Sequence, residues 1–374
     1  MMACPILDLP SELLAKVALH TSHTTETHPS TVKSCMLTCK TFAEHFRPHA
    51  FRRAAIELER SGPIERLLAI LSANPRYGRH VKDLVILGPY VSTATIHCPA
   101  LPELLRHLTE VTELTIARIP KLSSLPVPLA QSISSFFTRG SFAELRIFLC
   151  RDFPLEIILN ARLEVIRIFD ASFSEGAIIM ESVDAGSAAR ESIIRELEVS
   201  QHSGDVLACP QRLLTSAFNS LETMAITMFR LRPFHLNLAG LLRLRRLHLS
   251  LNCSQVHYAR QLVTNLALSL PSAERSLETI SLSFGLDNQN AFMNLTDSTA
   301  EWGKLEGALK DRAHLPRLRG VNLEFTIVHL YAADPLPDAD LCQRRAKEKL
   351  LTSLDVKTTI RVNVSGGSFS DSTT

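Results

Sequence analysis

The residues best equipped for chemistry lie near the start of the chain, where Cys35 and Cys39 stand four apart and His45 and His49 repeat that spacing. On a helix each pair shares one face, and zinc accepts two thiolates with two imidazoles. The pairs are separated by five residues, against the dozen or so that let a zinc finger fold back. A continuous helix would carry them too far apart to share an ion. The four side chains therefore read as buried thiols and helix-surface histidines, with no metal centre. The 14 glycines form neither G-x-G-x-x-G nor G-x-x-x-x-G-K, and there is no G-x-S-x-G elbow or H-E-x-x-H pair. Seven methionines and the single Trp302 read as core filling. A chain without a catalytic site or cofactor is the expectation.

What does recur is a strand phrase of apolar, two variable, apolar, one variable, apolar. Its nine copies are Val81-Leu84-Ile86, Val111-Leu114-Ile116, Phe142-Leu145-Ile147, Leu163-Ile166-Ile168, Ile194-Leu197-Val199, Leu221-Met224-Ile226, Leu244-Leu247-Leu249, Leu277-Ile280-Leu282 and Leu318-Val321-Leu323. Side chains alternate across a strand, so the second and third apolar residues of a copy share one face. A strand with one apolar face cannot hide it alone. Copies every ~20 to 40 residues imply stacked neighbours with a continuous core.

Helical stripes fill the intervals, among them Tyr258, Leu262, Val263 and Leu266 before Pro271, and Trp302, Leu305 and Leu309 before Pro316. Strand, crossover helix and parallel strand is the order of an α/β leucine-rich-repeat solenoid. Repeat spacing is uneven, and the Asn or Cys expected eight residues after the first apolar position appears only at Cys150 and Asn252. An irregular solenoid is expected, with most turns finding other hydrogen-bond partners.

Forty Lys+Arg against 38 Asp+Glu leave a net charge of +2, which recommends neither nucleic acid nor an anionic membrane as partner. No apolar run approaches the ~18 residues of a membrane span. The N-terminus does not read as a signal peptide. Eight scattered cysteines form no dense disulfide framework, pointing to reduced thiols in cytoplasm or nucleus.

Four regions follow from these patterns. Residues 5–51 form a small all-helical domain, with Leu13, Leu14 and Val17 on one stripe, a polar insert at 21–30, and Val32, Leu37 and Phe42 anchoring a second stretch. Residues 52–80 form a helical connector, with Pro63 starting a helix that Asn74-Pro75 stops. Residues 81–364 are the repeats, closed by a strand through Ile360, Val362 and Val364, and residues 365–374 are a Gly/Ser/Thr-rich tail expected to be disordered.

Leu9-Pro10-Ser11-Glu12-Leu13-Leu14 with Val17, followed by Leu37-Thr38-Cys39-Lys40-Thr41-Phe42, resembles the F-box. The overall order, including Phe46-Arg47-Pro48-His49-Ala50-Phe51-Arg52, is similar to that of fungal F-box proteins with C-terminal leucine-rich repeats. The resemblance implies a non-catalytic substrate receptor of a ubiquitin ligase: the box docks a Skp-type adaptor bound to a cullin scaffold, and the repeats hold a protein client. The adaptor-binding residues it implies are Leu9, Pro10, Leu13, Leu14, Val17, Leu37, Cys39 and Phe42. Two alternatives stand beside it. The same apolar residues could pack onto the first repeat as a cap, and the repeats could then serve as an interaction scaffold without ligase association. The match departs from the family at His20, Thr38 and Phe42 and in the long insert.

The residues beside each central apolar position point away from the core, onto the face expected to receive a client. Arg146, Arg167, Arg246 and His248 gather there in the middle copies. Arginine forks bind carboxylate or phosphate in two places at once. They suggest a client with an acidic or phosphorylated segment; the alternative is local pairing with neighbouring acids.

Overall fold

The computed structural model describes residues 11–24, 34–37, 40–89, 98–119, 125–138, 142–174, 193–201, 217, 219–229, 238, 240–252, 255–273, 275–329 and 337–366. These belong to two compact units, one within Met1–Arg162 and Ser174–Val183, the other within Leu163–Phe173 and Asp184–Thr374. The sequence patterns placed no boundary at this point.

The first unit opens with two helices, α1 (Ser11–Thr24) and α2 (Lys40–Ala50), so that the first helix runs into the polar insert before ending. Then come strands β1 (Arg53–Glu57), β2 (Asp83–Leu87), β3 (Glu113–Ala117) and β4 (Glu144–Phe148), paired in that order and all parallel. Helices α3 (Ser61–Ala73), α4 (Leu101–His107) and α5 (Val127–Thr138) lie between them. The segment read as a helical connector holds the helix α3 and, ahead of it, a strand the sequence reading did not place, β1. Its phrase is Phe51-Ala54-Ile56, and the small Ala54 in the central position made it inconspicuous.

After the short helix α6 (Leu155–Asn160), the second unit stacks β5 (Val165–Phe169), β6 (Glu196–Gln201), β7 (Thr223–Met228), β8 (Arg246–Asn252), β9 (Thr279–Leu286), β10 (Gly320–His329) and β11 (Lys357–Gly366), again parallel and in chain order. Helices α7 (Val256–Ser269), α8 (Gln289–Thr296), α9 (Thr299–Lys310) and α10 (Ala339–Lys349) make the crossovers. Strand β11 reaches Gly366, past the expected start of the tail; residues 367–374 lie outside the described residues.

The register explains the phrase. Leu84, Leu114 and Leu145 are cross-strand partners, as are Ile86, Ile116 and Ile147. In the second unit the same row runs Ile168, Val199, Ile226, Leu249, Leu282, Leu323 and Ile360. All three apolar residues of all nine phrases are buried, none more than 4% exposed. Aromatic rings extend this core where the strands lengthen. Phe284 stacks on Phe325 at 5.4 Å, and Trp302 meets Phe284 edge-on while its indole N–H donates to the Leu295 carbonyl at 2.9 Å.

The entry turns are joined backbone to backbone. In several copies one carbonyl accepts two successive N–H groups of the next: Lys82 from Thr112 and Glu113, Glu222 from Arg245 and Arg246, Arg245 from Glu278 and Thr279. At the exits of β3, β4 and β5 the residue after the strand turns left-handed, with φ of 59° at Arg118, 50° at Leu149 and 48° at Asp170. Cys150 serves as the sequence suggested. Its buried thiol points at the carbonyls of Phe148 (3.3 Å) and Ile116 (3.6 Å).

This packing can be tested at two points. Phe325→Ala removes a ring sandwiched between Phe284 and Phe292 and should cost about 3–5 kcal/mol in chemical denaturation, whereas Thr359→Ala on the opposite face should cost under about 0.5 kcal/mol. Burial pushes the Cys150 thiol up to about 11, so roughly one thiol in a thousand is ionised at pH 8. Alkylation of Cys150 should be negligible until denaturant unfolds the chain; labelling at the free-thiol rate in buffer would contradict its placement.

Candidate functional site

The chain carries two surfaces suited to holding other molecules, and the first is the helix pair α1–α2. Leu14, Ala18 and Phe46 form its interior, with Cys35 and Met36 packed against them. Leu14 is 2% exposed, so of the expected docking residues it belongs to the pair's own core. Leu13 and Val17 lie on the outside of the same helix, and Leu37 is 87% exposed. Leu19, which the stripe did not single out, is also on the outside. Leu9, Pro10 and Cys39, and the side chain of Phe42, lie outside the described residues.

A short helix pair cannot internalise every apolar side chain it carries. Its attachment to the first repeat uses other residues: Phe51 stacks on Tyr77 at 5.0 Å, and the Arg47 guanidinium lies over the same ring at 5.2 Å. Capping the repeats therefore leaves Leu13, Val17 and Leu37 uncovered. Of the cysteine and histidine pairs, Cys35 is half-buried and His45 lies 3.5 Å from the Ser11 hydroxyl. Among the described residues no three His, Cys, Asp or Glu side chains gather as a metal site.

The second surface is the polar face of the strands. In the first unit Asp83, Glu113 and Glu144 are successive cross-strand partners. Like charges directly opposite one another destabilise a sheet. Arginines relieve them. Arg146 Nε reaches Glu144 at 2.6 Å and its Nη2 reaches Glu113 at 3.2 Å, while Arg53 pairs with Asp83 at 3.2 Å. Burial holds the Asp83 carboxyl above its ordinary value, opposed mainly by Arg53.

Arg167 repeats the arrangement in the second unit, with Nη1 to Glu198 at 2.6 Å and Nη2 to Glu196 at 3.2 Å. Each of these two arginines thus serves two carboxylates of its own sheet, as the local-pairing alternative has it. Arg246 differs: it is exposed, and its Nε donates to the Thr223 hydroxyl at 3.1 Å.

Beyond Arg246 the face dips. The outward side chains of β9 are all small, Thr279, Ser281, Ser283 and Gly285. The larger His248 on β8 and Asn322 and Glu324 on β10 rise beside them. The resulting depression has a volume of about 260 Å³ and is completed by Thr359 and Arg361 of β11. Asn322 donates to Ser281 at 3.2 Å, and Asn363 donates to Glu324 at 3.0 Å. Neither Arg361 nor the small-residue column stands out in the sequence, because the charged positions of the phrase gather in the middle copies. The clue lies in the composition of β9. Burial keeps the His248 imidazole below its ordinary value, and the carboxylates of Glu324 and Glu198 oppose that shift. At neutral pH His248 is an uncharged donor and acceptor in a pocket it shares with hydroxyls, the Asn322 amide and the charged groups of Glu324 and Arg361.

Neither the protein-family models nor the curated proteins contain a match to this chain. No helix among the described residues is long and apolar enough to cross a membrane.

The environment of His248 makes a testable statement. In an NMR titration its imidazole should titrate below 6.5, and Glu324→Gln should lower it further by removing a carboxylate that favours the cation. Since the folded value is depressed, this group supports the fold above 6.5, and that support is lost as pH falls through the folded value. A His248 titration at or above the free-histidine range would contradict the geometry.

Proposed function

We propose that the chain is a non-catalytic substrate receptor of a Skp-cullin-F-box ubiquitin ligase, holding the adaptor on α1–α2 and a protein client on the strand face. The observation that carries this reading is the exposure of Leu13 and Val17 on α1, and of Leu37 in the helical segment at residues 34–37 ahead of α2, in a module that already has its own core and its own attachment to the first repeat. Exposed apolar groups on a small module mark a protein contact. Their positions coincide with the segments that resemble the F-box. In this reading ubiquitin transfer belongs to the partner proteins, and the assembly works in cytoplasm or nucleus.

The client is assigned to the polar face of β8–β11, at the depression beside His248. Among the described residues, Arg246 and Arg361 are the arginines there that no carboxylate ties down, and they suit an acidic client segment. Arg146 and Arg167 are each paired with two carboxylates of neighbouring strands and are not assigned to the client.

Co-purification tests the adaptor half. Leu13→Asp with Val17→Asp and Leu37→Asp, all at exposed positions, should leave thermal stability within about 0.5 kcal/mol and abolish recovery of a Skp-type adaptor. Equal recovery with wild type would overturn the proposal.

A further inference from the structure

Among the described residues strand β11 is the last in the sheet order, so one of its edges has no neighbouring strand. Along a parallel strand the N–H and C=O of one residue point to the same side, and the side alternates with each residue. Lys357 N–H donates to the Arg319 carbonyl at 3.2 Å, towards β10. The backbone groups of Thr358, Ile360, Val362 and Val364 consequently point to the open edge.

At the middle of that edge stands a side chain. Gln343 of α10 donates from Nε2 to the Ile360 carbonyl at 2.7 Å and accepts the Val362 N–H on Oε1 at 2.8 Å. One amide bonding both groups does what one backbone residue of a further parallel strand would do. The helix that carries it is held firmly in place. Cys342 and Ala346 are buried, and Asp338 caps its start by accepting the Leu341 N–H at 3.0 Å.

The open edge needs such protection. Ten residues long and rich in β-branched side chains, it would readily template another strand. Ile360 and Val362 are only half-buried, whereas their partners Leu323 and Phe325 are fully buried. Lys357 and Arg361, on the polar face, add charge near the edge.

We propose that Gln343 is an edge lock: it occupies the register position that an added strand requires, and so prevents the β11 edge of a second copy of this chain from pairing with it. Removing the amide converts the sheet end into a self-association surface.

Gln343→Ala in the full chain should speed hydrogen exchange of the Val362 amide about tenfold and produce dimers that increase with concentration in analytical ultracentrifugation, while wild type stays monomeric at the same concentrations. Gln343→Glu keeps the acceptor for Val362 and loses the donor to Ile360; it should associate to an intermediate degree. It also gives a second reading should the alanine variant fold poorly. The proposal is overturned if both variants remain monomeric, whether or not the Val362 amide opens, or if wild type associates as strongly as they do.

Discussion

The contact on which everything else depends is the in-register meeting of apolar side chains between neighbouring parallel strands. A five-residue strand with two inward side chains buries little against itself, and burial of a leucine-sized group contributes about 1.5–3 kcal/mol only when another surface closes over it. Rows such as Leu84–Leu114–Leu145 and Leu249–Leu282–Leu323 supply that surface on both sides of each strand. The helices cover the rows from the same side. The opposite face is then left to polar groups, whose placement is set by the same register that aligns the core.

That coupling has an electrostatic consequence. Because register is dictated by the apolar rows, acids on the polar face fall opposite one another whether or not their charges agree. Arg53, Arg146 and Arg167 answer this locally. These pairs are partly exposed, and their value lies in cancelling repulsion more than in net attraction. A residue that repairs its own sheet is a poor candidate for gripping a partner, which is why the proposed client surface is set on β8–β11.

Much of the fold was legible because it depends on a period of two and a phrase of fixed length. The three apolar residues of all nine phrases are buried, as are Leu262, Val263 and Leu266 of one helical stripe and Trp302, Leu305 and Leu309 of the other, while Tyr258 at the head of the first stripe is half-buried. The phrase failed at β1, where alanine weakens the signal, and at β11, where Thr358 takes the central apolar place. The roles of individual side chains were less legible. Leu14 shares a stripe with Leu13 and Val17 but turns inward, because a 3.6-residue period places neighbours within one stripe at different depths. Pairing of Arg146 with Glu113 joins residues 33 apart, and Gln343 with Ile360 joins α10 to β11. No local pattern in the chain announces either.

In the proposed receptor, the two binding roles fall to different chemistry: apolar side chains left over on a helix pair for the adaptor, and a polar strand face for the client. Hydrogen–deuterium exchange of the full chain with and without a Skp-type adaptor tests this division directly. The account predicts slower exchange confined to residues 11–24 and 34–50, with the strands from β8 to β11 unchanged. Slower exchange on those strands, or none in the helix pair, would contradict it.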